Sequence, residues 1–219
     1  MIRIFRDRVD AGIQLALQLS RYASDPNVRV LGLPRGGVPV AYQVARKLEV
    51  PLDVFVVRKL GVPGHEELAM GAIASGAVRV LNPDVVAALR ISEAEIAQVA
   101  DRELKELDRQ QRTYRGDLPF PALDGRTVIV VDDGLATGST MRAAVKSLRL
   151  LQPARIVAAA PVGASETCRS LASEADEVVC VNTPESFQAV SMWYADFSQT
   201  TDEEVRKLLL TFAAIVFRS

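Results

Sequence analysis

Two adjacent carboxylates and a loop of small, hydroxyl-bearing residues stand together past the middle of the chain. Asp132 and Asp133, here called the acid pair, follow an aliphatic run at 128–131 and precede a glycine-containing loop at 134–140. Because neighbouring carboxylates repel each other, their placement favours a ligand with hydroxyl groups or developing positive charge. The sequence therefore indicates a binding site in which the acid pair faces a polar or cationic partner.

The loop after the acid pair has the composition of a phosphate-binding nest. Its small residues expose successive backbone N–H groups, its hydroxyls add donors, and a following helix would point its positive dipole end into the loop. This phosphate loop comprises Gly134, Leu135, Ala136, Thr137, Gly138, Ser139 and Thr140. It has neither the Gly-Lys-Ser/Thr of a Walker loop nor a GxGxxG pattern. A phosphosugar such as ribose 5-phosphate would span both features, with its phosphate in the loop and its vicinal hydroxyls on the acid pair.

A second anion-binding candidate follows an aliphatic run at 28–33. Pro34 and Arg35 lead into Gly36 and Gly37, after which a helical pattern begins; these four residues are called the RGG segment below. The double glycine lets backbone N–H groups approach a ligand closely, and Arg35 adds a planar cationic fork. On its own, the segment is equally compatible with a tight strand-to-helix turn.

A third candidate is the segment 58–70, which follows an apolar run at 52–57. Arg58 and Lys59 stand at its start, and the Gly and Pro residues that follow suggest a mobile lid carrying positive charge. A plain surface loop is the alternative. His65, the only histidine, is expected to be exposed and passive, since no Cys or second His is spaced for a zinc site.

The elements that must position these segments alternate between strand-like and helix-like patterns. The predicted strands lie at 28–33, 52–57, 127–131, 156–160 and 177–181, and helices between them at 37–48, 139–150 and 164–171. Such alternation predicts an α/β fold with a mostly parallel sheet flanked by helices on both faces. Ligands gather beyond the carboxyl ends of such strands, which is where all three candidate segments stand.

Composition sets limits on partners and location. The chain has 219 residues, of which 49% are hydrophobic, and a formal net charge of −1. No global basic field pulls it towards nucleic acid or an anionic membrane, so phosphate recognition must be local. The N-terminus lacks the apolar core of a signal peptide, and the apolar stretch at 208–217 is too short to cross a bilayer. We expect a cytoplasmic protein with Cys168 and Cys180 reduced, and no nucleic acid or membrane partner.

The stretch VIVVDDGLATGST, residues 128–140, resembles the phosphoribosyl pyrophosphate (PRPP) signature of type I phosphoribosyltransferases. The other two candidate segments fall where that family has its pyrophosphate loop and its flexible catalytic loop. The stretch VRKLGVPGHEELAMGAIA is also similar to a subgroup of predicted phosphoribosyltransferases with an unassigned acceptor. The resemblance implies the type I phosphoribosyltransferase fold, and transfer of 5-phosphoribosyl from PRPP to a nucleobase-like nitrogen acceptor with release of pyrophosphate.

The resemblance also gives each segment a task. The acid pair would hold the ribose hydroxyls and complement the cationic ring, while the phosphate loop would anchor the 5-phosphate. Arg35, the amides of Gly36 and Gly37, and a Mg²⁺ carried by PRPP would neutralise the leaving pyrophosphate. Lys59, together with Arg58, would arrive as the lid closes and excludes water. No metal site built by the protein alone is implied, although the acid pair could reach the Mg²⁺.

In this family a variable hood holds the acceptor, and residues 182–199 are the candidate here. Phe187, Trp193, Tyr194 and Phe197 lie close together there, although aromatic residues make up only 5% of the chain. Because aromatic rings stack on planar bases, Phe187 and Trp193 are the acceptor-binding candidates, with a small satellite core as the alternative.

One departure from the family bears on the acceptor. Hypoxanthine and guanine enzymes of this type have a lysine just before the last core strand that reads the purine oxygen. By approximate alignment, Ala175 or Asp176 stands there, which counts against a 6-oxopurine.

We expect residues 1–181 to form the core, with a helical insertion at about 82–112, and 182–219 to form a small hood region and the C-terminal helix. The insertion could be a homodimer surface, a hood extension or neither. The alternative to a transferase is a regulatory protein that binds PRPP or a nucleotide without transfer. The net charge and the lack of a helix-turn-helix extension favour the enzyme, and a hydrolase remains a third interpretation.

Overall fold

The computed structural model describes residues 4–216, and its framework is a five-stranded parallel sheet. In chain order, the strands are β1 (Val28–Gly32), β2 (Leu52–Val54), β3 (Val57–Val62), β4 (His65–Ala74), β5 (Val78–Leu81), β6 (Thr127–Val131), β7 (Arg155–Val162) and β8 (Glu177–Asn182). The parallel sheet has the order β2-β1-β6-β7-β8, and β3, β4 and β5 form a separate sheet. The predicted α/β fold with a mostly parallel sheet is thus confirmed.

Helices cover both faces of the parallel sheet, as predicted. They are α1 (Arg8–Gln18), α2 (Gly37–Leu48), α3 (Pro83–Ala88), α4 (Glu93–Arg115), α5 (Ser139–Arg149), α6 (Ser165–Leu171) and α7 (Asp202–Val216), with 3₁₀ turns at Ser20–Tyr22 and Val190–Trp193. On β6, Val128 and Val130 pack in one core with α5, while Ile129 and Val131 pack in the other with α1 and α2. Because a parallel strand covered on both faces is apolar throughout, β6 reads as an unbroken aliphatic run.

The register brings the carboxyl ends of three strands side by side. Gly32, at the end of β1, pairs with Val131 at the end of β6 and with Val54 at the end of β2. The segments that follow β1 and β6 therefore leave the sheet at neighbouring points. This register positions the RGG segment next to the acid pair, although about a hundred residues separate them in the sequence.

The segment 58–70, predicted to be a mobile lid, lies in strands β3 and β4 of an antiparallel sheet, so it is not the irregular loop that its composition suggested. The expected strand at 52–57 is divided, because β2 ends at Val54 and β3 begins at Val57. β3 and β4 are joined through Pro63 and Gly64, and Gly64 has a φ of +77°. Proline followed by a glycine with positive φ suits a tight turn between two strands. The Gly and Pro residues therefore mark a hairpin turn rather than an open loop.

The helical insertion consists of α3 and α4, and α4 continues beyond the predicted end to Arg115. Ser92 opens α4 with a capping box: its hydroxyl accepts the Glu95 N–H, and the Glu95 carboxylate accepts the Ser92 N–H at 2.9 Å. The apolar face of α4 packs against the small sheet and α7. Its buried members are Ile96, Val99, Ala100, Leu107 and Tyr114. The insertion therefore covers the small sheet of its own chain.

The hood, residues 182–199, crosses back onto the N-terminal segment. Phe5 pairs with Tyr194 in an isolated parallel bridge and donates its N–H to the Trp193 carbonyl at 2.9 Å. Phe5 and Tyr194 form a buried cluster with Ala11 of α1 and Val162 of β7. The start of the chain thus lies beside the carboxyl edge of the sheet. None of the described helices is long and apolar enough to span a membrane.

Candidate functional site

The RGG segment lies directly against the acid pair at the carboxyl edge of the sheet. A Cβ atom built on Gly36 would overlap Asp133 Oδ2, and one on Gly37 would lie 2.6 Å from the Val131 carbonyl oxygen. The Pro34–Arg35 peptide bond is cis. Both glycines are therefore required by the close approach of two post-strand segments. The structure brings together two of the three candidate segments.

Each carboxylate of the acid pair has one engaged oxygen and one that is open to a ligand. Asp132 Oδ1 accepts the backbone N–H of Asp133 at 2.9 Å. Asp133 Oδ2 accepts a hydrogen bond from Arg8 Nε at 2.9 Å and lies 2.8 Å from Arg8 Nη2. Within residues 4–216, Asp132 Oδ2 and Asp133 Oδ1 receive no hydrogen bond from another residue, and neither is a buried atom without a partner.

Burial shapes the charge of the acid pair, whose side chains are both half-buried. Burial, reinforced by the neighbouring charge of Asp133, raises the pKa of Asp132 to about 8. Burial also raises the pKa of Asp133, although the guanidinium of Arg8 opposes that shift. The guanidinium of Arg8 therefore favours the ionised form of Asp133, which it contacts directly, more than that of Asp132.

Hydrogen bonds to neighbouring segments anchor the phosphate loop. Leu135 is buried, donates its N–H to the Val162 carbonyl at 2.9 Å, and accepts the Ala164 N–H at 2.9 Å. The carbonyl of Ala136 accepts a hydrogen bond from the Thr167 hydroxyl at 2.6 Å. These contacts tie Leu135 and Ala136 of the loop to β7 and α6.

The other side of the phosphate loop is open. Gly138 precedes α5 with a φ of +71° and has no side chain to cap this helix, whose first N–H, that of Ser139, is donated to the Thr137 hydroxyl at 3.4 Å. Thr137, Ser139 and Thr140 are exposed, and the hydroxyl oxygens of Thr137 and Ser139 lie 2.9 Å apart. A helix N-terminus flanked by exposed hydroxyls can bind the oxygens of a phosphate.

Arg35 stands at the rim of the site and is loosely held. Its side chain is 41% exposed, and its Nη1 lies 4.0 Å from Asp202 Oδ1 at the start of α7. The same Asp202 oxygen accepts a hydrogen bond from the Tyr114 hydroxyl at 2.7 Å. A long ion pair between partly exposed side chains contributes little stability, so Arg35 can turn towards an anionic ligand.

Arg58 and Lys59 lie on β3 and have different surroundings. Arg58 donates from Nε and Nη2 to Glu103 Oε2 of α4, at 3.0 and 2.7 Å. Lys59 is exposed and donates to the Glu67 carbonyl at 3.3 Å. Because successive strand residues point to opposite faces, the two cations cannot approach one ligand together from this strand. Arg58 is thus paired with Glu103, whereas Lys59 is accessible to solvent. His65 is exposed, as expected.

Phe187 and Trp193, the predicted acceptor-binding residues, stack on each other. Their ring centroids are 6.4 Å apart, and their planes differ by 17°. Both rings are half-buried and pack against the cluster that contains Phe5 and Tyr194. One face of each ring is thus covered by its neighbour, which favours the satellite-core alternative for that part of their surface.

The two positions compared with a purine-reading lysine lie at the opposite end of the sheet. Asp176 donates its N–H to the Ile156 carbonyl at 3.0 Å, and its carboxylate accepts the Ile156 N–H at 2.7 Å, near the start of β7. Ala175 is buried. Residues at the amino ends of the strands cannot read a substrate at the carboxyl ends. The argument from these positions against a 6-oxopurine is therefore wrong.

Three contacts at the acid pair involve residues or groups that the sequence analysis did not select. Arg8 is 125 residues from Asp133, so no local pattern points to their ion pair. The Tyr194 hydroxyl donates to the Asp133 carbonyl at 2.5 Å, whereas the sequence drew attention only to its ring. Val190 of the hood packs on Gly134, where an added Cβ would overlap it. Of Arg8, Tyr194 and Val190, only Tyr194 stood out in the sequence, as one of the clustered aromatic residues of the hood.

Comparisons with known proteins converge on one family. Residues 2–195 match the model described as "Phosphoribosyl transferase domain". A "Putative phosphoribosyl transferase" of Mycobacterium tuberculosis (strain H37Rv) is 48% identical over 204 residues, which are 93% of this chain and 46% of the relative. The chain therefore spans about half the length of that relative. The crystal structure of the protein TT1426 from Thermus thermophilus is 42% identical, with a TM-score of 0.84, covering 95% of this chain and 98% of the other.

Proposed function

The chain belongs to the phosphoribosyltransferase family, and from that premise we propose that it transfers 5-phosphoribosyl from PRPP to a nitrogen acceptor, releasing pyrophosphate. The observation that carries the proposal is the position of the two open carboxylate oxygens, Asp132 Oδ2 and Asp133 Oδ1, on the segment that leads into the N-terminus of α5. Two acceptors suit the vicinal hydroxyls of ribose, and the helix end suits its 5-phosphate.

The acid pair would stabilise the charge that develops on the ribose ring. As the bond between the anomeric carbon and pyrophosphate breaks, the ring becomes cationic while the leaving group becomes more anionic. Carboxylates fixed beside the ring interact more strongly with this state than with the neutral ground state, which is the requirement for catalysis. The cost of holding two acids together in the empty site is thereby offset in the transition state.

The phosphate loop would supply binding energy remote from the reacting bond. Its exposed hydroxyls and the first N–H groups of α5 would hold the 5-phosphate, and so place the anomeric carbon at a fixed distance from the acid pair. Because Leu135 and Ala136 are tied to neighbouring elements, this anchor is formed before the substrate arrives. Preorganisation of this kind lowers the entropic cost of reaching the reactive geometry.

The leaving pyrophosphate would meet Arg35 and the N–H groups of the RGG segment. No group of three or more His, Cys, Asp or Glu side chains in the described part of the chain could hold a metal ion. The open oxygens of the acid pair do suit a Mg²⁺ that arrives on PRPP, since this ion prefers carboxylate and retained water ligands. When bound, Mg²⁺ would neutralise charge on the pyrophosphate. Lys59 is the further cation we assign to this task.

We place the nitrogen acceptor in the hood, on the faces of Phe187 and Trp193 that they do not cover for each other. A planar, nucleobase-like compound would gain stacking and would lie on the same side of the sheet as the acid pair. Val190, packed on Gly134, links this part of the hood to the phosphate loop.

A second candidate function is the binding of PRPP or a nucleotide without transfer, as in a regulatory protein. Two observations favour it: the expected lid is a folded sheet, and Arg58 is held by Glu103. Such a protein would keep the donor site and lack a cation arriving with closure.

A panel of nitrogen acceptors tests the proposal. Purified protein is mixed with Mg²⁺ and PRPP, then with nucleobases and small amines one at a time, and pyrophosphate release is followed. Release with one acceptor class and formation of the matching ribosyl 5-phosphate product support transfer. Tight PRPP binding with no release for any acceptor supports the regulatory function, and release without any acceptor indicates hydrolysis.

A further inference from the structure

We infer that Arg8 is a positioning residue for Asp133, whose carboxylate it holds in one orientation at the edge of the proposed ribose site. The inference rests on the proposed phosphoribosyl transfer. Arg8 is the first residue of α1, and α1 contributes no other side chain to the ion pairs of the acid pair among residues 4–216.

The geometry of the Arg8–Asp133 pair is tight and one-sided. Arg8 Nε lies 2.9 Å and Nη2 lies 2.8 Å from the same carboxylate oxygen, Asp133 Oδ2. The two side chains are only 12% and 16% exposed, so water screens their attraction weakly. Because both contacts use Oδ2, the other oxygen of Asp133 remains available to a ribose hydroxyl.

The remaining contacts of the guanidinium come from the hood. Arg8 Nη1 donates to the Ser198 carbonyl at 2.6 Å. The ring of Phe197 covers the flat face of the guanidinium, with its centroid 4.0 Å from Cζ. All three nitrogens and one face of Arg8 are therefore held, so its charge has a fixed position. This arrangement connects the hood, the N-terminal helix and the acid pair through one side chain.

Among residues 4–216, no cation other than Arg8 contacts the acid pair. The titratable groups around Asp133 are Asp132, the Tyr194 hydroxyl bonded to the Asp133 carbonyl, and Arg8 itself. In the described chain, Arg8 alone makes a salt bridge to Asp133. Without it, the Asp133 carboxylate would lose both contacts that fix Oδ2 and would be free to rotate away from the ribose site.

Anchoring of α1 does not explain this contact. Asp7 caps the helix by accepting the Asp10 N–H at 2.7 Å, and the buried face of α1 includes Ala11 and Leu15. These interactions hold α1 on the sheet without Arg8. An arginine directed at an acid of the candidate site therefore needs a separate reason, which positioning of Asp133 provides.

The test compares Arg8→Gln and Arg8→Lys with Arg6→Gln, which removes an exposed arginine two residues earlier in the chain. Crystal structures of the ligand-free variants give the orientation of the Asp133 carboxylate without any substrate. Calorimetry with Mg²⁺ and PRPP gives the affinity.

Arg8→Gln should turn the Asp133 carboxylate away from its wild-type orientation, because both contacts to Oδ2 are lost. PRPP affinity should fall about tenfold, since a charge-assisted contact that orients the ribose ligand is removed. Arg8→Lys should keep the carboxylate near its wild-type orientation and lose affinity only about threefold, since it retains charge without the fork. Arg6→Gln should change neither quantity.

An unchanged orientation of Asp133 in Arg8→Gln, or wild-type PRPP affinity in that variant, would overturn the inference. If Arg8→Gln does not fold, Arg8→Lys decides: full wild-type affinity would then contradict the need for the fixed guanidinium. Failure of wild-type protein to bind PRPP would instead contradict the proposed function, while the crystal structures would still show whether Arg8 orients Asp133.

Discussion

Tyr194 donates a hydrogen bond from its phenolic hydroxyl to the main-chain carbonyl oxygen of Asp133, with the two oxygens 2.5 Å apart. Tyr194 is only 6% exposed, and its ring packs on Phe5 and Phe197. Through this contact the hood fixes the backbone of the acid pair, just as Arg8 fixes the side chain of Asp133. The acceptor region and the donor region of the proposed site are therefore mechanically connected.

Tyr194→Phe should reduce the free energy of unfolding by about 1 kcal/mol, because a buried carbonyl loses its partner while the ring remains. Urea unfolding measures this change. PRPP affinity should fall as well, since the backbone of Asp133 becomes less fixed. Tyr22→Phe is the control: it removes a hydroxyl bonded to Glu177 at 2.7 Å, so it should affect stability and leave PRPP affinity unchanged.

Gly36→Ala should weaken PRPP binding more than tenfold, since its methyl group would overlap Asp133 Oδ2 and force the acid pair apart. Calorimetry measures this loss. Gly116→Ala provides the contrast, because Gly116 has a φ of +63° and nothing lies within 4 Å of the added atom. That variant should lose stability through backbone strain but bind PRPP normally. Equal affinity in both variants would show that the RGG segment does not support the acid pair.

Asp132→Asn should make the ligand-free protein more stable at high pH. Burial raises the pKa of Asp132 in the folded protein to about 8, above the ordinary pKa that this carboxyl has in the unfolded chain. The stability contributed by its neutral form is complete below the unfolded-state pKa and is lost as pH rises from that value to about 8. An asparagine does not titrate, so the variant does not lose stability over this pH range, and its side-chain oxygen can still accept the Asp133 N–H. Its Tm should match that of the wild type near pH 4 and exceed it by at least about 2–4 °C at pH 9. A Tm difference independent of pH would show that Asp132 is not held in its protonated form.

Arg58→Gln should mainly lower stability, whereas Lys59→Gln should mainly lower activity. Arg58 forms a hydrogen-bonded ion pair with Glu103, so its loss should cost about 1 kcal/mol of unfolding free energy. Lys59 is exposed, and its loss should leave stability unchanged while lowering the rate of pyrophosphate release at least tenfold. Urea unfolding and steady-state kinetics of both variants provide the comparison. If Arg58→Gln instead releases pyrophosphate slowly while its stability equals that of the wild type, Arg58 would be the residue that neutralises the leaving pyrophosphate.

Local patterns in the sequence predict the framework of this fold well. The strand predicted at 127–131 and the helix predicted at 37–48 have the same bounds in the structure. Both patterns, an aliphatic run for the strand and an apolar period of about 3.6 residues for the helix, can be recognised within a short stretch of sequence. The positions of the RGG segment and the phosphate loop also follow, since both come directly after buried parallel strands.

Long-range relationships could not be predicted in the same way. Residues 58–70 were predicted to form a lid because a Pro-Gly pair such as Pro63 and Gly64 occurs both in hairpin turns and in irregular loops. The pairing of β3 with β4 and the packing of this sheet against α4 distinguish the two, and local composition shows neither. The contact between Arg8 and Asp133 depends on how α1 docks after the chain has folded. Likewise, the mutual stacking of Phe187 and Trp193 is a matter of side-chain packing that composition does not reveal.

The most direct test of the central claim is a calorimetric titration of PRPP with Mg²⁺ into the wild-type protein and into the double variant Asp132→Asn/Asp133→Asn. We predict saturable binding at one site in the wild type, and at least a hundredfold weaker binding in the double variant, whose circular dichroism spectrum should be unchanged. Equal affinity in the two proteins, or no binding in either, would contradict the assignment of the acid pair as the ribose site.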